Sequence, residues 1–165
     1  MSGTKGDQGK APARYFYFMP VAYSFDIKHP ARLIAMRLEG IIEALSTKNY
    51  NTKGVSRDLV MMMGTVARHI QSDFGWNLAE VYKEVSYVSE LGAKKYGIYN
   101  YKRGMKWSRI VDALGRHFIH YMCDDFIDEE SGKDHRFHMI ANICMLLYYV
   151  ENKLGDNDLE EITNE

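Results

Sequence analysis

The sequence predicts an all-α fold, a helical bundle of about five helices preceded by a short extended segment. Three observations carry this prediction. Apolar residues recur every three or four positions in five separate stretches, no convincing run alternates as a strand would, and most helical stretches begin or end on residues suited to a helix terminus. The chain has 165 residues, 46% of them hydrophobic. That is enough for one core and a single domain over residues 1–165.

In chain order, residues 1–14 read as a flexible arm and YFYFMPVAY (15–23) as an aromatic extended segment. The first helix spans about 30–46: Pro30 suits a first turn, and Ile34, Leu38, Ile41, Ile42 and Leu45 follow at helical spacing. Ser56 caps a second helix with the stripe Leu59, Met63, Val66 and Ile70, ending before Gly75. Asn77 and Glu80 form an N-x-x-E start for the third, whose buried face is Leu78, Val81, Val85 and Val88 and which stops near Tyr96-Gly97. After a glycine-punctuated loop, Val111, Leu114, Phe118 and Tyr121 mark the fourth helix. The acidic turn CDDFIDEESGKD leads to a fifth, about 134–154, apolar around much of its circumference and therefore expected at the centre. The acidic tail 155–165 is expected to fray.

Charge and composition exclude several classes. Twenty-one basic against 22 acidic residues give a net charge of -1, so the broad attraction used by non-specific nucleic-acid binders is missing and any cationic site must be local. Cys123 and Cys144 lack a CxxC spacing and read as reduced thiols. No apolar run approaches the roughly 20 residues needed to cross a bilayer, and MSGTKGDQGK has no signal-peptide core. A cytoplasmic protein without membrane or nucleic-acid partners is expected.

Three polar groups interrupt this bundle. In GAKKYGIYNYKRGMKWSR (92–109), Lys94, Lys95, Arg103, Lys106 and Arg109 are concentrated among glycines that permit close backbone approach. Such a place suits phosphates, although a solvated basic loop anchored by tyrosines is the reading that composition alone favours. Arg116, His117 and His120 lie on the fourth helix; His117 borders the apolar stripe, and Asp112 and Arg116 are spaced for an ion pair. In DEESGKDHRFH (128–138), His135 and His138 share one helix face behind carboxylates. Two imidazoles so spaced can share a metal or flank an anion, and carboxylate oxygens suit Mg²⁺ or Mn²⁺; incidental histidines in an acidic first turn are the plainer alternative.

The pieces KGDQGK (5–10), EVSYVSELGAKKYG (84–97), Asn100, WSR (107–109), ALGRH (113–117) and DEESGKDHRFH (128–138) together resemble the phage dATP/dGTP diphosphohydrolase family of the MazZ type, similar to MazG-like all-α pyrophosphohydrolases. The resemblance implies cleavage of a purine deoxynucleoside triphosphate to monophosphate and pyrophosphate with Mg (or Mn). It implicates Glu84, His117 and His138 in catalysis, Glu84, Asp128 and Glu130 in holding the metal, and Lys10, Lys94, Lys95, Tyr96, Asn100, Arg116 and His135 in binding the nucleotide. Trp107 joins them as an aromatic able to stack on a base. Residues 28–76 read as a two-helix insertion ahead of a family core at 77–154, contributing to assembly or to a lid. The MazG hallmark of clustered carboxylates is not clearly present: Glu80 and Glu84, like Glu39 and Glu43, are simple i,i+4 pairs. A protein that sequesters a nucleotide without hydrolysis is the rival reading, and a helical scaffold the plainest. A homo-oligomer is expected, because few helices are available to cover the fifth.

Overall fold

A computed structural model describes residues 9–160. It contains a 3₁₀ turn at Ala13–Tyr15, then α1 (Phe18–Ala22), α2 (Pro30–Ser46), α3 (Thr52–Phe74) and α4 (Leu78–Tyr96). A second 3₁₀ turn at Asn100–Arg103 precedes α5 (Trp107–Met122) and α6 (His135–Asn152). Among the described residues only isolated bridges, Lys106 to Asp156 and Ile127 to Asp134, stand in for sheet, and no helix is long and apolar enough to cross a membrane. Cys123 and Cys144 are unpaired and exposed.

Local chemistry sets most helix ends. His29 caps α2 by accepting the Ala31 N–H at Nδ1 over 3.0 Å, with Pro30 in the first turn. The Asn77–Glu80 capping box forms in full: Asn77 Oδ1 accepts the Glu80 N–H at 2.9 Å and Glu80 Oε1 the Asn77 N–H at 3.3 Å. Gly75 (φ 68°) and Gly97 (φ 97°) close α3 and α4 in conformations that disfavour a Cβ. The start of α3 departs from the sequence reading. Asn51 is the cap, accepting the Gly54 N–H at 3.0 Å, while Ser56 is buried one turn inside.

The aromatic segment 15–23 is not extended. Phe18 and Ala22, spaced i,i+4, are both buried, and Phe18 stacks on Phe118 with centroids 5.8 Å apart. Burial of that pair outweighs the strand propensity of a tyrosine- and phenylalanine-rich run. Pro20 is tolerated because it sits in the first turn. The arm is already docked at Ala13, which packs where Gly115 has no side chain; a Cβ there would lie 2.9 Å from that of Ala13. Residues 1–8, with most of KGDQGK, lie outside the described residues.

Helix α6 is the centre, packed by α3, α4 and α5, with Met139, Ile140, Ile143, Leu146, Tyr149 and Val150 fully buried. Three helices of the same chain thus cover α6.

The C-terminal segment does not fray before residue 160. Asp158 Oδ1 accepts the Ser108 N–H at 2.9 Å, the Asp156 carbonyl accepts the Trp107 N–H at 2.9 Å, and Leu159 is buried. These contacts cap α5 from outside, since Lys106 offers no side-chain cap. Gly155 makes the approach possible: its φ is 82°, and a Cβ would come within 2.5 Å of the Met105 carbonyl oxygen. Gly155→Ala is expected to cost about 1–3 kcal/mol. Urea unfolding measures the loss, and faster hydrogen exchange at the Trp107 amide locates it.

Candidate functional site: an imidazole and carboxylate cluster

The end of α5, the start of α6 and the loop between them carry every histidine singled out in the sequence, with Asp128 and Glu130. The 123–134 loop is built on Asp128. Its N–H donates to the Lys133 carbonyl at 2.8 Å and its carbonyl accepts from Gly132 at 2.7 Å. Its carboxylate takes the Ser131 N–H at 2.9 Å and hydroxyl at 2.7 Å. Such an Asx-type closure fixes the carboxylate direction. The His135 N–H then bonds the Phe126 carbonyl at 2.7 Å, seating the first turn of α6 against the loop.

Four imidazoles meet there. Nδ1 of His117 and Nδ1 of His135 lie 2.8 Å apart. The ring of His138 stacks on His117 at 4.4 Å and 8°, and that of His120 on His135 at 4.6 Å and 5°. Nε2 of His138 is 2.7 Å from Ser131 Oγ and 3.4 Å from Asp128 Oδ2, while Nδ1 of His120 is 2.8 Å from Asp125 Oδ2. The ligand atoms of His117, Asp128 and His135 all lie within 4.8 Å of one another, as do those of His120, Asp125 and His135.

The electrostatics keep the inner imidazoles uncharged. Burial, reinforced by the neighbouring His138 and His135, pushes His117 down to about 3. Burial likewise lowers His138 and His135. For Asp128 burial works in the opposite direction, but the two Ser131 hydrogen bonds prevail and hold its carboxyl below the usual range. At neutral pH His117, His135 and His138 therefore present neutral nitrogen lone pairs and N–H groups beside an ionised Asp128 carboxylate.

Cations stand beside it. Lys95 pairs with Glu130 on the loop, and Lys133 bonds Glu84 of α4 at 2.9 Å while lying over the Tyr87 ring. Arg116 Nη1 donates to the Ala11 carbonyl at 3.0 Å, next to exposed Lys10. Asp112 has Arg14 as its partner, through both backbone and guanidinium.

This arrangement lies within the stretch 48–158, which matches the model of the family described as dATP/dGTP diphosphohydrolase, N-terminal. The chain belongs to this family. A dATP/dGTP diphosphohydrolase of Salmonella phage PMBT28 is 29% identical over 76 residues, covering 46% of this chain and 26% of the relative. The match thus spans about a quarter of that longer protein. No solved structure matches the chain. The family stretch includes α3, half of what the motif pattern set apart as an insertion, and leaves α2 outside.

Within the family stretch, the structure gathers His117, His135, His138 and Asp128 into one cluster and attaches Glu84 and Glu130 to its edge through lysines. Lys94 instead points along its own exposed helix face to Glu90 at 2.9 Å. Tyr96 ends α4, and Asn100 opens the following 3₁₀ turn with its N–H on the Gly97 carbonyl. Trp107 does not offer a stacking face. It is 3% exposed, its indole N–H donates to the Leu154 carbonyl at 2.8 Å, and it lies ten residues, about 15 Å, along α5 from His117.

Sequence reasoning grouped His120 with His117 but gave it no role, and it missed Asp125, Ser131 and Lys133 as members of the site. For His120 the signal existed, because it follows His117 at i+3. It also missed a cavity of about 320 Å³ on the other side of the loop, lined among others by Phe25, His29, His69, Asp73, Tyr121 and Phe126. Along the loop, Asp124 and Phe126 line this cavity while Asp125 and Asp128 serve the imidazoles. His29, His69 and Asp73 come from residues expected to contribute only to assembly or a lid.

Proposed function

We propose that this chain binds a purine deoxynucleoside triphosphate at the imidazole cluster and cleaves it to the monophosphate and pyrophosphate. The observation that carries the reading is the neutral imidazole and carboxylate core with Lys95, Lys133 and Arg116 beside it. The triphosphate supplies the anion that replaces Glu130 and Glu84 as partner of Lys95 and Lys133. Water attacks the α-phosphorus, its oxygen forming the new bond as the bond to the bridging oxygen of the leaving pyrophosphate breaks. The proton passes to an imidazole of the cluster, and the lysines neutralise the charge gathering on pyrophosphate. The aromatic cavity beyond the loop is large enough for a purine, with the Asp73 carboxylate as acceptor for its N–H groups.

The name of the phage relative, dATP/dGTP diphosphohydrolase, supports this substrate class. Incubation with a nucleotide panel and divalent ions, with identification of every product, tests it. dGTP or dATP is expected to give equal amounts of monophosphate and pyrophosphate without early orthophosphate. Stepwise orthophosphate release would place attack at the γ-phosphorus and end this reading. A second reading, nucleotide binding without hydrolysis, is favoured by the pairing of Glu84 and Glu130 with lysines and by the short share of the relative that is matched. It is supported if heating releases intact nucleotide stoichiometrically and no divalent ion gives turnover.

A further inference from the structure

The metal that the family resemblance implies is Mg²⁺ (or Mn²⁺), held by Glu84, Asp128 and Glu130, and the donor set does not fit so hard an ion. Mg²⁺ demands a near-ideal octahedron of oxygens. In the chain without nucleotide two of the three carboxylates are engaged by Lys133 and Lys95, and the groups that converge on Asp128 are imidazoles. We infer that the cluster is instead a site for one borderline transition-metal ion of the Co²⁺, Ni²⁺ and Zn²⁺ class, held by His117, His135 and Asp128.

Three features carry the inference. The ligand atoms already lie within 4.8 Å of one another. An ion with bonds of about 2.1 Å places its donors roughly 3–4 Å apart, so little rearrangement is needed. Second, the donors suit the class, because neutral imidazole with one carboxylate favours borderline ions over hard ones. Third, each ligand is held in orientation by a neighbour. His138 stacks on His117, His120 stacks on His135, and Ser131 bonds Asp128 through both its N–H and its hydroxyl. Outer contacts of this kind are what fix ligand direction in built metal sites. The alternative set, His120 and Asp125 with the shared His135, is more exposed, and the inner set is assigned the ion because its surroundings exclude more water.

The site requires no nucleotide, so its test is independent of turnover. Chelator-treated full-length protein is titrated with Co²⁺ alone, followed by visible absorption and by metal analysis after desalting. One equivalent is expected, giving visible bands that survive about a hundredfold excess of Mg²⁺ and disappear on adding Zn²⁺. Asp128→Asn, which keeps shape, and His135→Ala are each expected to weaken binding at least about tenfold, and Glu84→Gln to leave it unchanged. Circular dichroism and urea unfolding establish that each variant is folded; if His135→Ala is not, Asp128→Asn decides. Absence of stoichiometric Co²⁺, displacement by Mg²⁺, or unchanged binding in Asp128→Asn would overturn the inference. The nucleotide reading could fail with this site intact, and the converse also holds.

Discussion

Arg136→Met is expected to lower the unfolding free energy by about 3–5 kcal/mol, the usual consequence of removing one partner of a buried ion pair. Arg136 is 2% exposed and Asp134 is 4% exposed. The guanidinium donates to both Asp134 oxygens, at 3.0 and 2.8 Å, and to Asp73 at 2.5 Å. It also lies 5.2–5.6 Å from the ring centroids of Phe126, Phe74 and Tyr121. One side chain therefore joins α3, the loop and the first turn of α6. Methionine fills much of the volume but leaves the Asp134 carboxylate buried without its countercharge. Adding Asp134→Asn should recover part of the loss, because the two residues act as a unit. Arg37→Met provides the contrast: its partner Asp58 is 3.4 Å away and half exposed, and exposed pairs contribute about 0–1 kcal/mol. Urea titration of the four proteins measures all of this, and equal losses for Arg136→Met and Arg37→Met would refute the account.

Metal-free protein is expected to lose stability steadily as pH falls below about 6.5, the ordinary histidine value. Burial first, then the charges of His138 and His135, lower His117 to about 3 in the folded state, and burial lowers His135, His138 and His69 as well. The folded values lie below the unfolded ones, so between them the unfolded chain binds more protons. Stability is fully present above the unfolded value and declines as pH falls towards the folded ones, by up to about 1.4 kcal/mol per pH unit for each proton involved. Asp128 opposes the effect by favouring charge on its neighbours, and Lys95 and Arg116 add to it. Urea midpoints from pH 4 to 8 should show the decline, and His117→Gln should flatten it. A midpoint independent of pH across that window would mean that the imidazoles are hydrated in the folded protein.

Much of the fold was legible locally. The capping box at Asn77, the stops at Gly75 and Gly97, and the apolar stripes of α2 to α5 depend on residues three or four positions apart, which are neighbours in any helix. The same periodicity showed that α6 is apolar on most sides and hence central. The errors came where burial competes with propensity. Phe18 and Ala22 fall in the aromatic segment expected to be extended, and only docking against Phe118 makes their spacing decisive.

The sequence by itself determined the five longer helices and most of their inward faces, Leu78 being exposed against expectation, and, through ordered motifs, the family. It also marked His117, His135, His138 and Asp128 as residues out of place in a plain bundle. Only tertiary structure decided that they meet. His117 and His135 are 18 positions apart, and they face one another because the end of α5 lies beside the start of α6 while Trp107, at the other end of α5, reaches Leu154 beyond the end of α6. The same docking turned Trp107 into a buried anchor, closed a cavity from His29, His69 and Tyr121, and gave Glu84 and Glu130 lysine partners. The reason is physical: contacts along one helix repeat with a fixed period that a sequence displays, whereas contacts between helices depend on how whole faces pack, which no single segment encodes.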